Sequence, residues 1–279
     1  MDIAFWFCGV LLLLVLLSLI VLCQDRLIYF PLHYSTAQLA EAKTVGTQEI
    51  RFRTSQGNQV AFFWRDETSE MAPRTLWLLF GGNGDTALAW LRLVRSFPGR
   101  RTGYLLVDYP GYGICQGKPN PQSILENSET ALQTLLATKG WQIDSNSLCV
   151  LGHSLGGAAA LQFAAKYVVG KILVVSTFTS MDDMVRAQIH IPLGNLLRHR
   201  FDNVASLKAI LSRNQVPEIC IFHGQADEIV PARMGRTLAQ LDPSRIQYYE
   251  ILEARHNDIM QMPLSPSLQL ALSDKILAE

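Results

Sequence analysis

Apolar and polar positions along the chain fall into three regimes. Residues 3–23 carry no charged side chain and are dense in Leu, Val, Ile and Phe, enough as a helix to cross the hydrocarbon core of a bilayer. Further on, Glu49-Ile50-Arg51-Phe52-Arg53 and Gln59-Val60-Ala61-Phe62-Phe63-Trp64 alternate partly and flank Ser55-Gln56-Gly57-Asn58. That spacing predicts an antiparallel hairpin at the edge of a sheet. From Thr75 onward, short continuously apolar runs alternate with helical stretches, the pattern of parallel strands covered on both faces by crossover helices. Strands are predicted over 76–80, 104–108, 148–151, 172–175, 218–222 and 246–251, with helices over 86–96, 123–138, 155–167, 232–241 and 265–277.

The fold class is therefore α/β, a mostly parallel central sheet with helices on both faces. No repeat or low-complexity linker divides the chain, so the reading is an anchor at 1–26, a connection at 27–46 that breaks at Pro31, and one domain at 47–279. Between 177 and 216 the strand rhythm is interrupted by Met181, Met184, Ile189, Ile191, Pro192, Leu193, Leu196 and Leu197. This stretch is either a cap over the site or a pair of amphipathic helices lying on the sheet, and its pattern leaves both open.

Composition narrows the partners. Lys+Arg and Asp+Glu are both 24, so no basic stripe points to nucleic acid. A cleaved signal would begin with basic residues and end on small ones, whereas Asp2 opens this segment and Leu22-Cys23-Gln24 closes it, which favours a single-pass anchor. Arg26 on one flank and Asp2 on the other lean toward a cytoplasmic domain. Cys8 and Cys23 fall in or beside the anchor, Cys149 and Cys220 in predicted strands and Cys115 in a loop, a scatter without a disulfide framework.

The chemistry centres on Gly152-His153-Ser154-Leu155-Gly156-Gly157, which follows an apolar strand and precedes an alanine-rich helix. In that context Gly-x-Ser-x-Gly makes a sharp turn that lifts the serine hydroxyl clear of the backbone, and Ser154 is the candidate nucleophile. The bland alternative is a serine that merely caps a helix. A serine needs a base, and a neutral imidazole held by a carboxylate is the usual device near neutral pH. Of the six histidines only His223 and His256 come late, and His256 follows a candidate carboxylate loop. His256 is the expected base. The acid is expected just past the preceding strand, where His223-Gly224-Gln225-Ala226-Asp227-Glu228 supplies Asp227, with Glu228 as its neighbouring rival. His153 is expected to point away from the nucleophile as a structural residue.

Attack on a carbonyl places charge on oxygen, so N–H donors are needed. Phe80-Gly81-Gly82-Asn83-Gly84-Asp85 follows a strand and is expected to give one backbone N–H from Asn83, with Gly82 as the alternative. Leu155, after the serine, is expected to give the other. The glycine run lacks a Lys-Ser/Thr ending and the dinucleotide spacing, so it is not read as a phosphate loop. Asp108-Tyr109-Pro110-Gly111-Tyr112-Gly113 is assigned to shaping the loop floor. No His/Cys/Asp cluster has metal-ligand spacing, and neither metal nor cofactor is expected. His190, His199 and Arg200 receive no role.

These motifs, with Leu27-Ile28-Tyr29-Phe30-Pro31, Ser176-Thr177-Phe178 and Arg200-Phe201-Asp202-Asn203, make the chain similar to the ABHD-type and Bem46-like α/β-hydrolases. The resemblance runs from about Leu27 to the C-terminus. It implies an α/β-hydrolase fold with a short cap, a triad of Ser154, Asp227 and His256, and Asn83 and Leu155 as oxyanion donors. One departure is Gly81-Gly82 where the family usually has His-Gly. The function expected is a membrane-anchored serine hydrolase acting on carboxylic esters, lipid esters or acylated proteins among them. The alternatives are a peptidase of the same fold and a non-catalytic membrane-tethered binding protein.

Overall fold

The charge-free N-terminal run forms helix α1 (Ile3–Leu22) in the computed structural model, which describes residues 3–66, 69–96, 101–190, 194–261 and 264–272. Among the described residues no helix is long and apolar enough to cross a membrane. Several α1 side chains, Leu13, Leu14, Leu16 and Leu17 among them, lie outside that description.

The segment expected as a mere connection is instead built into the domain. Residues 27–46 run through the end of α2 (Gln24–Ile28) and all of α3 (Thr36–Thr44), the latter closed by a capping box between Ser35 and Gln38. A β-bridge joins His33 to Gly113, and the Phe30 N–H reaches the Asn83 carbonyl oxygen at 2.9 Å. The polar composition of 33–46 concealed this, because few of its side chains pack inward, Tyr34, Leu39 and Ala42 among them, and single long-range contacts hold much of the rest.

The hairpin forms as β1 (Gln48–Thr54) and β2 (Gly57–Trp64), turning at Gly57, whose φ of +104° disfavours other residues. The parallel strands follow as β3 (Thr75–Phe80), β4 (Thr102–Val107), β5 (Leu148–His153), β6 (Lys171–Val175), β7 (Glu218–Gly224) and β8 (Ile246–Ile251). Between them lie α4 (Leu91–Ser96), α5 (Pro121–Lys139), α6 (Leu155–Lys166), α7 (Met181–Ile189), α8 (Asn203–Leu211) and α9 (Ala232–Ala239), and α10 (Pro266–Leu272) comes last. The helix predicted over 86–96 begins instead with a 3-10 turn at Ala87–Trp90, where the Ala87 N–H is drawn to the Asp108 carboxylate at 2.7 Å. Of the helix predicted over 265–277, residues 273–277 lie outside the described residues, as do Ile191, Pro192 and Leu193 of the expected cap.

The described strands form one eight-stranded sheet in the order β1-β2-β4-β3-β5-β6-β7-β8, antiparallel at β1–β2 and β2–β4 and parallel elsewhere. Burial on both faces explains why the strands read as unbroken apolar runs. Leu76, Leu78 and Phe80 of β3 enter the core under α5, α6, α8 and α9, while Trp77 and Leu79 enter the one under α4 and α10. The strand order reverses between β3 and β5, which opens a crevice beyond their carboxyl ends. The loops carrying Asn83 and Ser154 leave from those two strands.

Candidate active site

β5 ends in a turn so tight that its glycines are obligatory. A Cβ on Gly152 would overlap the Gly156 carbonyl oxygen, and one on Gly156 would overlap the Phe80 carbonyl oxygen. Between them Ser154 adopts φ 56° and ψ −120°, a conformation that costs a non-glycine residue about 1–3 kcal/mol. The surroundings hold it there. The Ser154 N–H donates to the Val175 carbonyl at 2.8 Å, and its own carbonyl accepts from the Gly157 N–H and the Thr177 hydroxyl, both at 3.0 Å.

The Ser154 hydroxyl lies 2.9 Å from His256 Nε2, and His256 Nδ1 lies 2.8 and 3.0 Å from the two carboxylate oxygens of Asp227. A carboxylate only accepts, so Nδ1 carries the proton and Nε2 is free to accept one from the serine. The three residues come from the ends of β5, β7 and β8 and meet because those ends open on one edge of the sheet. Glu228 does not compete for the ring: its carboxylate accepts the His256 backbone N–H at 3.3 Å.

The Asp227 side chain is fully buried, which opposes its charge. Hydrogen bonds from His223 and His256 and from the Val230 N–H outweigh that burial and hold its carboxyl well below the usual range. His223 Nε2 donates to the Val230 carbonyl at 2.9 Å and lies 3.3 Å from Asp227 Oδ2. Asp227 Oδ1 also accepts the N–H groups of Ile229 and Val230, at 3.0 and 2.8 Å. His223, which the sequence offers only as the other late histidine beside the expected base, thus braces the acid.

On the other side of the crevice, the loop after β3 separates the two candidate donors. The Gly82 N–H is taken by the Asp85 carboxylate at 2.9 Å, whereas the Asn83 N–H has no partner among the described residues, and Asn83 is one of the residues lining the cavity. The Leu155 N–H, in the first turn of α6, has no intrahelical acceptor, and Leu155 lines the same cavity. Asn83 itself is braced: its carbonyl accepts from Phe30 N–H and Tyr112 hydroxyl, at 2.9 and 2.6 Å, and its Nδ2 donates to the Ile28 carbonyl at 3.1 Å. Tyr109 donates to the Gly81 carbonyl at 2.6 Å. The two tyrosines of the 108–113 loop thus support the Asn83 loop from below. Asp108 is buried between the Ala87 N–H and the Tyr34 hydroxyl, both at 2.7 Å, and burial pushes its carboxyl up to about 6.

His153 departs from expectation. Its ring does not turn away but sits 5.0 Å from the His256 ring, with Nε2 at 3.1 Å from the His256 carbonyl oxygen and Nδ1 at 3.8 Å from Asp85. The His153 imidazole lowers the Asp85 carboxyl against the opposing effect of burial. Asp85 therefore supports the loop by linking the Gly82 N–H to the His153 side.

A cavity of about 740 Å³ opens over Ser154. It is lined by Leu27, Ile28 and Phe30 from the N-terminal segment and by Met181, Met184 and Val185 from α7, with Phe178, Leu197 and Ile229 completing it. The stretch 177–216 divides between the two readings left open: α7 and Leu197 border the cavity, while Leu207 and Ile210 of α8 are buried in the core. Arg200 donates to the Gly194 and Leu197 carbonyls, His199 meets the Tyr29 ring edge-on at 5.3 Å, and His190 ends α7 with φ 59°. Among the described residues no group of three or more His, Cys, Asp or Glu is placed to hold a metal ion.

Known proteins share this architecture. An uncharacterized protein of Mycobacterium tuberculosis is 26% identical over 237 residues, 84% of this chain and 81% of that one. The protein bem46 of Schizosaccharomyces pombe is 26% identical over 216 residues, 75% and 70% of the two chains. The solved structure of Thermogutta terrifontis esterase 2 phosphoramylated by tabun covers 81% of this chain and 91% of its own, with a TM-score of 0.59 at 14% identity, a likeness of fold. The model of the alpha/beta hydrolase family matches residues 77–265, from within β3 to the residue before α10, and the chain belongs to that family.

Proposed function

We propose that the protein is a membrane-anchored serine hydrolase that cleaves carboxylic esters through an acyl-enzyme. The observation that carries this reading is the single imidazole of His256 joining the Ser154 hydroxyl at 2.9 Å to the Asp227 carboxylate at 2.8 Å. Nε2 takes the serine proton as Oγ attacks the ester carbonyl, and Asp227, ionised in its donor-rich site, stabilises the imidazolium that forms. The oxyanion receives the N–H groups of Asn83 and Leu155, and loss of one such donor costs about 3 kcal/mol of transition-state stabilisation. His256 then protonates the departing alkoxide, and water repeats the sequence on the acyl-serine to release the acid.

Anchoring is read from the sequence, in which residues 3–23 carry no charged side chain and match in number what a helix needs to cross a bilayer core. Arg26 on its domain side against Asp2 on the other favours a cytoplasmic domain.

Turnover of p-nitrophenyl esters by the detergent-solubilised full-length chain tests the hydrolase reading. Hydrolysis that disappears in Ser154→Ala is expected, and equal hydrolysis by that variant would refute it. Alkaline carbonate extraction tests the anchor, which predicts retention in the membrane pellet.

A further inference from the structure

One wall of the Ser154 cavity is made by residues that directly follow α1, namely Gln24, Leu27, Ile28 and Phe30. Leu27 and Phe30 line the cavity yet remain 60% and 52% exposed, and Ile229 does so at 42%, so these side chains stand at its mouth. Leu32 and Leu196, close in the chain to the lining residues Phe30 and Leu197, are 54% and 49% exposed. Exposed large apolar side chains gathered around one opening form the kind of patch that meets an apolar partner.

Gln24 fixes the mouth relative to α1. It is buried, its Nε2 donates to the Leu196 carbonyl at 2.8 Å and its Oε1 accepts from the Arg198 N–H at 2.7 Å. The start of α2 is thereby tied to the segment that carries Leu197 into the cavity. Only Cys23 separates Leu22, the last residue of α1, from Gln24, and two residue steps span at most about 7 Å. Wherever the end of α1 sits, the mouth sits with it.

We propose that the cavity mouth rests in the surface of a lipid bilayer, and that the substrate is a bilayer-resident ester whose long acyl chain slides to Ser154 from the membrane. The proposal rests on the hydrolase and anchor readings above and deepens both. A chain leaving the bilayer for an apolar cavity exchanges one apolar surrounding for another, whereas passage through water opposes it by about fourfold per methylene. A mouth at the bilayer surface removes that penalty. The volume of about 740 Å³ suits such a chain, and the unbranched, polarizable Met181 and Met184 adapt the wall to its bends.

The test uses full-length protein reconstituted in phosphatidylcholine vesicles, with p-nitrophenyl butyrate in the aqueous phase or 4-methylumbelliferyl palmitate in the bilayer. Leu32→Asp with Leu196→Asp places charge at exposed positions close in the chain to Phe30 and Leu197 that are not themselves part of the cavity wall. Palmitate turnover is expected to fall about tenfold or more while butyrate turnover stays within about twofold. Leu32→Ser with Leu196→Ser repeats the measurement without charge and should lower palmitate turnover in the same direction. Unchanged palmitate turnover in both pairs, or equal loss on both substrates, overturns the proposal. Wild type that cleaves butyrate and not palmitate overturns it while leaving the hydrolase reading intact. Wild type that cleaves neither overturns the hydrolase reading, and wild type released by alkaline carbonate overturns the anchor reading.

Discussion

His153 and His256 are joined across 103 residues of sequence: the imidazole Nε2 of the first lies 3.1 Å from the backbone carbonyl oxygen of the second. The residue beside the nucleophile thus holds the loop that carries the base, and through Asp85 it also faces the loop of Asn83. Replacing it with Phe keeps a ring in the space and removes the hydrogen bond. His153→Phe should lower kcat about fivefold, the worth of roughly 1 kcal/mol, with KM changed by less than about twofold. Steady-state kinetics on a soluble short-chain ester separates the two constants, and an unchanged kcat would deny His153 a positioning role.

Asp227 and Glu228 divide the support of His256 between ring and backbone. Removal of the charge in Asp227→Asn should lower kcat by about four orders of magnitude, as in a characterised triad, because the imidazole loses its tautomer and its counter-charge. Glu228→Gln keeps an acceptor for the His256 N–H and should stay within about threefold of wild type. Reversal of that order would reassign the acid.

Much of this arrangement was legible from the chain alone. Buried parallel strands announce themselves as unbroken apolar runs, and Ser154, Asp227 and His256 each sit just beyond one. What could not be read were the side chains that act through single contacts between distant segments. Gln24 reaches Arg198 across 174 residues, Tyr34 reaches Asp108 across 74, and neither contact leaves a periodic signal. His153 was misplaced because motif context orients the serine and says nothing of the residue before it. The segment 27–46 was taken for a connection because its apolar run stops at Pro31 before a polar stretch, and the inward turn of Tyr29 between the exposed Leu27 and Phe30 leaves no periodic signal.

Asp108 makes a pH signature of its own. Its folded pKa of about 6 lies above the ordinary 3.8, so the folded state holds the proton more tightly than the unfolded one. Stability from this group is fully present below pH 4 and is lost as pH rises through about 6, an effect on the order of 2–3 kcal/mol. Asp227 has the opposite sign, and its contribution is lost only as pH falls below the usual carboxyl range. Urea unfolding of Asp108→Asn between pH 4 and 6 should show the downward slope of the wild type flattened. An identical slope in the variant would contradict the assignment.

The turn at Ser154 depends on the absence of a side chain at Gly156, where a Cβ would overlap the carbonyl oxygens of Phe80 and Gly81. Gly156→Ala must push α6 away from β3 and should cost about 3 kcal/mol. Thermal unfolding reads the loss directly. Gly84→Ala, where a Cβ meets nothing within 4 Å, should change stability by less than about 1 kcal/mol.

The most direct test of the central claim is peptide mass spectrometry of the folded full-length chain after treatment with a fluorophosphonate. The account predicts one covalent adduct, on the peptide containing Ser154, absent from Ser154→Ala and strongly slowed in His256→Gln. A folded wild type without adduct, or an equal adduct in Ser154→Ala, would contradict it.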